Sequence, residues 1–480
     1  MSLKLKIKYL RLLIRLKNSY PVQLLYPLIK NWYDKISETN TQLSRQIFKF
    51  IPFLLTSAIV GFVAYFYAEI FRQTESLSFK LVNNYRWSVF ILTPVAFVTS
   101  WWLVKRHSPY AKGGGIPQVM ASMELSRPRT YKLIDHLLNI KVIIIKVLSS
   151  TVKVLGGGIV GREGPTIQIS SAIFAIVDKY LPKWWKPISQ KSVLVAGTAS
   201  GIAAAFNTPL GGIIFAIEEL SRFNIKNYGS SLYIAVIIAG LVAQTLGGSY
   251  LYLGYPRLAT TGWVVYLGVL VVSIIAGFFG AKAGQYMWKM VVYLKRYDNL
   301  KQQLTVVLLA SVLVAVSIYF LGTDAMGTGK SMINRILSNT GNKEVDWYIP
   351  LVRIGGMLSA TASGGAGGIF APSLSIGAAI GAVFASIMEL SGTNANLMIV
   401  IGMTAFLVGI TRSPFTSAII IIEMTDRHSS IFHIMMAVVI TSTIAHFVDK
   451  KSFYDHMKES YLSEVKQHKK SHNTTGEVAQ

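Results

Sequence analysis

Leu155-Gly-Gly-Gly-Ile-Val-Gly-Arg-Glu-Gly-Pro165 lies between two strongly apolar runs, which places it at membrane depth, yet Arg162 and Glu163 stand side by side within it. Glycines 156, 157, 158, 161 and 164 disfavour a continuous helix because glycine is the least constrained residue. Pro165 suits the first turn of a new helix, where its missing N–H is no loss. The stretch predicts a helix that stops, an unwound turn and a helix that starts. Broken backbone inside a bilayer survives only where protein or a water-filled cavity surrounds it. The new helix N-terminus offers free N–H groups and partial positive charge, which bind anions, and Arg162 adds a full charge. Glu163 then sits where an anion would bind, as a tethered carboxylate that protonation moves aside. Gly156-x-Gly158-x-x-Gly161 also fits a dinucleotide fingerprint, but the strand and βαβ context are missing. Close helix packing would explain the glycines. It does not explain an Arg-Glu pair at depth, where ionisable residues mark function.

The rest of the chain is consistent with that depth. Of 480 residues 52% are hydrophobic and only 14% charged, and apolar stretches recur from Ile51 to Phe447. This composition implies a polytopic membrane protein, not a soluble enzyme. The net charge of +25 is spread over termini and loops, which fits positive-inside topology better than nucleic-acid binding. A positive field favours anions in a pore. Cysteine is absent, so disulfides and Cys-ligated metals are excluded. Residues 1–30 alternate basic and apolar side chains without a cleavage site, as in an amphipathic segment on the cytoplasmic membrane surface.

Two further glycine turns end in proline: Lys112-Gly-Gly-Gly-Ile-Pro117 and Ser363-Gly-Gly-Ala-Gly-Gly-Ile-Phe-Ala-Pro372. Lys146 and Lys153 lie within an apolar run; they either snorkel to an interface or raise the potential around an anion path. Gly322–Ser331 is a polar turn that nearly spells a phosphate-binding loop, but Asp324 stands where glycine is needed. The two halves rhyme. Pro209 follows Pro165 by 44 residues and Pro414 follows Pro372 by 42; Glu218 and Glu423 each lie nine residues after Pro209 and Pro414. Matching broken helices in two halves point to a transport site at a repeat interface. The expected organisation is a basic N-terminal segment at 1–46, membrane repeats at 47–250 and 262–448, and a short cytoplasmic tail at 449–480. Helix N-termini at Gly164 and Ile369 would point at one anion, joined by the turn from Gly113 to Gly115.

Gly113-Gly-Gly-Ile-Pro117, Gly161-Arg-Glu-Gly-Pro165 and Gly367-Gly-Ile-Phe-Ala-Pro372 resemble the three signature turns of the CLC chloride channels and proton-coupled anion antiporters, over roughly Phe48 to Tyr454. The resemblance implies an all-α membrane fold of tilted, broken helices in two inverted repeats, assembled as a homodimer with a pathway in each subunit. It implies that Glu163 is the external gate and Glu219 the inner proton acceptor. It further implies that the amides of Ile369 and Phe370, with the Tyr454 hydroxyl, hold the central anion. Arg162 and Lys146 would support the site electrostatically. The family usually has serine where this chain has Gly114, so a hydroxyl donor is missing and chloride-over-nitrate preference is open. The expectation is a proton-coupled antiporter of chloride, with nitrate as a second candidate anion, the alternative being a passive anion channel. It is not an enzyme, and needs no cofactor or metal beyond the transported anion and proton. Its partners are small inorganic anions, protons, lipid and a second copy, not nucleic acid; its place is a bacterial inner membrane, termini cytoplasmic.

Overall fold

The computed structural model describes residues 27, 30, 31, 43–128, 130–182, 185, 188–220, 229–248, 253–258, 262–338 and 345–477. The basic segment expected on the membrane surface lies, but for residues 27 and 30, outside them. The chain divides into two compact units, Met1–Pro52 and Phe53–Gln480. The first is described at 27, 30, 31 and 43–52, all helical.

The described chain is all-α, with no strand. Helix α1 (Leu43–Asn84) and α2 (Val89–His107) are followed by α3 (Ile116–Glu124), α4 (Ile134–Leu137) and α5 (Ile140–Leu155). Then come α6 (Glu163–Tyr180), α7 (Gln190–Phe206), α8 (Pro209–Phe215) and α9 (Gly229–Gly247). The second half holds α10 (Trp263–Leu294), α11 (Leu300–Leu321), α12 (Lys330–Ser338), α13 (Ile349–Ala362), α14 (Phe370–Ile387), α15 (Gly392–Thr411), α16 (Pro414–Thr425), α17 (Ile431–Val448) and α18 (Phe453–Glu477). Among the described residues eight helices are long and apolar enough to cross a membrane. Phe432 and Phe447 are each 82% exposed, as side chains facing lipid should be. The protein is therefore a multi-pass membrane protein.

Both halves are built in one order. A glycine turn opens an 18-residue buried helix, α6 or α14. A second buried helix packs on it, α7 or α15, and ends on a left-handed residue, Asn207 (φ 57°) or Arg412 (φ 63°). A proline then starts a short helix, α8 or α16. Small residues let the backbones touch, as membrane helices require in the absence of a hydrophobic drive between them. A β-carbon on Gly197 or Gly201 of α7 would come within 2.9 Å of the Ser171 Cα or 3.0 Å of the Ile167 Cα on α6. On α14, one at Gly377 or Gly381 would come within 2.7 Å of the Met403 or Ile399 Cα on α15.

The short helices cap each other. Glu218 accepts the N–H groups of Phe415 (3.0 Å) and Thr416 (2.7 Å) at the start of α16. Glu423 accepts those of Leu210 (3.0 Å) and Gly211 (2.6 Å) at the start of α8. The nine-residue spacing seen in both halves is therefore a reciprocal contact: each carboxylate satisfies amides that a helix start leaves unbonded.

Within the tail after Asp449 the chain forms α18. Its start is set by a capping box, Ser452-Phe-Tyr-Asp455: the Ser452 Oγ accepts from the Asp455 N–H at 2.9 Å and donates to the Asp455 carboxylate at 2.9 Å.

Candidate functional site

The three glycine turns meet and are joined by main-chain hydrogen bonds. The Gly113 N–H donates to the Gly365 carbonyl at 3.0 Å, and the Gly367 N–H donates to the Gly113 carbonyl at 3.1 Å. Gly161 and Gly368 exchange both bonds, each 2.7 Å. The expected break before Pro165 is present: α5 ends at Leu155 and α6 begins at Glu163. The polar stripe of α5, at positions 146, 149 and 153, faces these turns, as helical spacing allows. The Lys146 ammonium donates to the Gly113 carbonyl at 2.9 Å. The Ser149 hydroxyl accepts from the Ala366 N–H at 3.0 Å. The Lys153 ammonium donates to the Ala360 carbonyl at 3.0 Å. Both lysines are fully buried. The snorkelling reading is thereby overturned: both ammoniums are buried and bonded to carbonyls, Lys146 to one in the first glycine turn and Lys153 to one in the last turn of α13.

Beneath the turns lies a cavity of about 40 Å³ lined by Gly113, Gly114, Gly367, Gly368 and Ile369, with Gln118 from α3 and Tyr454, Met457 and Tyr461 from α18. That volume suits one water-sized occupant. Tyr454 is on the first turn of α18. The start of this helix is pinned by the capping box and by the His456 ring, which stacks on Trp288 (centroids 5.0 Å apart, planes 9° apart). Four of the residues expected to hold an anion, Gly113, Gly114, Ile369 and Tyr454, thus share one wall. Gly115, Gly164 and Phe370 do not line it. A β-carbon on Gly115 would meet the Gln168 side chain at 2.6 Å, one on Gly164 would meet the Gly114 carbonyl oxygen at 2.9 Å, and the Phe370 ring packs on Phe206 at 4.8 Å. These three make the turns close-packed.

Glu163 is completely buried at the start of α6. Its carboxylate folds back over Gly161, where a β-carbon would collide with Oε2. Its neighbour Arg162 lines a separate vestibule of about 450 Å³ together with Glu69, Arg72, Glu75 and Lys330. Gly368, hydrogen-bonded to Gly161, lines the small cavity. Glu163 therefore stands between vestibule and cavity. Another vestibule, of about 340 Å³, is lined by Lys105, Lys112, Lys295, Asp298 and Gln303. This vestibule lies at one end of the antiparallel pair α2 and α11, where Lys105 bonds Gln303; Arg86 reaches Gly322 at the other end of the pair. Glu219 lies in a π-helical turn, Ala216–Leu220, and accepts a hydrogen bond from the Ser413 hydroxyl. Such turns are frequent at functional sites.

Residues 95–446 match the family model described as voltage gated chloride channel. The chain belongs to this CLC family. Among curated relatives it is similar to the H(+)/Cl(-) exchange transporter ClcA of Klebsiella pneumoniae (strain 342), 26% identical over 85% of this chain and 89% of the relative. It is 27% identical to the transporter of the same name from Yersinia pestis bv. Antiqua (strain Angola), over 86% and 88%. Among solved structures, that of a slow cyanobacterial Cl-/H+ antiporter superposes with TM-score 0.74 at 22% identity, covering 87% of this chain and 98% of that one. A CLC-type fluoride/proton antiporter gives 0.70 at 19%, covering 87% and 99%. At these identities the superpositions speak for the CLC fold.

Two residues of this CLC site went unread in the sequence. Lys112, which precedes the glycines, lines both the cavity and the vestibule of α2 and α11. Gln118 lies one helical turn into α3, and its Nε2 donates to the Lys112 carbonyl at 2.6 Å. A lysine just beyond an apolar helix reads as interfacial. Only its place at the head of a glycine turn could have marked it.

Proposed function

We propose that this protein exchanges small monovalent anions, chloride foremost, for protons across the membrane. The observation that carries the reading is the place of Glu163: a fully buried carboxylate at a helix start, between the vestibule of Arg162 and Lys330 and a cavity walled by glycine turns and a tyrosine. Helix N-termini and their amides favour negative charge, and a site of this kind suits a dehydrated anion. The names of the ClcA relatives support chloride and protons as the exchanged pair. The anion rests against Gly113, Gly114, the Ile369 amide and the Tyr454 hydroxyl, the residues that line the cavity. Ionised Glu163 excludes it from the outer position, and protonated Glu163 swings toward the vestibule of Arg162. Glu219 delivers the proton from the other face. Lys146 holds the first turn in shape by its bond to Gly113. The basic loop at 295–301 supports a cytoplasmic side for the vestibule of Lys112 under the positive-inside rule. The halves at 47–250 and 262–448 form inverted repeats, and two copies pair in a bacterial inner membrane.

Proteoliposomes loaded with chloride, with anion and proton movement recorded together, test this. Wild type should move chloride uphill when a proton gradient is imposed. Glu163→Gln should lose proton movement while passing chloride, and Glu219→Gln should lose proton coupling. Continued uphill pumping by Glu163→Gln would remove the gate assignment. Downhill chloride flux without any proton movement in wild type would leave a passive channel instead.

A further inference from the structure

We propose that the Lys112 ammonium is an additional anion-binding post, which takes small monovalent inorganic anions as they pass between the vestibule of α2 and α11 and the glycine turns. The proposal rests on the anion-exchange reading and adds a residue to it. Lys112 is the residue common to the wall of the small cavity and the wall of the vestibule. The chain divides between the two spaces at this point: Gly364 lines the vestibule and Gly365 the cavity. A β-carbon placed on Gly364 would lie 3.7 Å from the Lys112 Cε and 3.9 Å from its Nζ, so the lysine end lies alongside that partition.

The three lysines of this vestibule are not equivalent. Lys105 donates to Gln303 and stands 5.1 Å over the Trp101 ring. Lys295 donates to Ser460 and Glu464. Lys112 is half-buried, and among the described residues no carboxylate lies within ion-pair distance of its ammonium and no acceptor bonds it. Its main chain is nevertheless fixed. The carbonyl takes the Gln118 Nε2 at 2.6 Å and the Lys146 Nζ at 3.4 Å. A lysine with a fixed main chain, half-buried and without a protein counter-ion among the described residues, has its ammonium best stabilised by an anion from solution. An anion on its way to the turns supplies that counter-ion. Lysine at this point also offers the donor that Gly114 lacks, one residue-pair earlier along the route.

The test uses the full-length protein. Chloride efflux from proteoliposomes is measured against chloride concentration for wild type, Lys112→Met, Lys112→Gln, Lys112→Arg and Lys105→Met, with bromide binding to the detergent-solubilised protein followed by calorimetry. Removing the charge should raise the half-saturating chloride concentration about tenfold, with the saturating rate within about twofold. Lys112→Arg should restore it, and Lys105→Met should shift it less than about twofold. Bromide binding should weaken in the same order. Unchanged half-saturation and bromide affinity in Lys112→Met and Lys112→Gln would overturn the proposal. So would a fall in saturating rate that arginine does not rescue, since that is the mark of a packing role. Should wild type bind bromide but carry no chloride, the exchange reading falls, and the binding series still decides the role of Lys112.

Discussion

Gly114 is the position where the resemblance of the glycine turn implies a serine hydroxyl that this chain lacks. A β-carbon there would meet only the Gly368 Cα at 3.6 Å and the Gly367 carbonyl oxygen at 3.9 Å, both ordinary contacts. Gly114→Ser should therefore fold, and its hydroxyl would enter the cavity wall. One added hydrogen bond contributes about 0.5–1.5 kcal/mol, so preference for chloride over nitrate should rise by roughly two- to tenfold in paired flux measurements. An unchanged ratio in well-folded Gly114→Ser would mean that the turn does not touch the ion. Gly115 next door behaves differently: it sits at φ +102° against Gln168, and serine there should cost folded protein. Sequence alone made the place of Glu163 at the start of a helix legible, because the glycines and Pro165 around it mark the break. It did not make Lys112 legible, because the two walls that meet at this lysine come from segments far apart in the chain.

At the scale of elements, α8 and α16 hold each other by their starts. The sequence displayed the spacing, proline to glutamate in nine residues, in each half. It could not display the partners, because Glu218 and Phe415 stand 197 residues apart and Glu423 and Gly211 stand 212 apart. Glu423→Ala leaves the Leu210 and Gly211 amides without their acceptor. The expected loss is about 1–3 kcal/mol per orphaned group, read as a lower unfolding temperature in detergent. Because Glu218→Ala loosens the same helix pair from the other side, the double variant should lose less than the sum of the two singles. Strict additivity would show that the caps act independently. Helix α18 was the element least legible beforehand. Its polar sequence hides how its first turns, with Tyr454, Met457 and Tyr461, reach the cavity.

For the whole molecule, the breaks at glycine and proline were enough to read an all-α membrane fold with two similar halves. The packing of α14 on α15 was not readable, since a uniformly apolar helix declares no preferred face. That contact now fixes a prediction. Gly377→Leu would force the two helix backbones apart, because even a β-carbon at this site comes within 2.7 Å of the Met403 Cα. Overpacking of this kind costs about 1–3 kcal/mol or more, so the variant should unfold at lower temperature and lose chloride flux together. A stable, active Gly377→Leu would mean that α14 can shift without disturbing the turn before it. The joint between the three turns carries a last consequence. Its donors and acceptors are peptide groups, and peptide groups do not ionise in the range where carboxylates do. Acidifying either side of the membrane therefore leaves the joint its hydrogen bonds and its dimensions, whatever proton Glu163 takes up under the proposed exchange. On that proposal ion berth and proton carrier are made of different chemistry, so the one can hold still while the other moves.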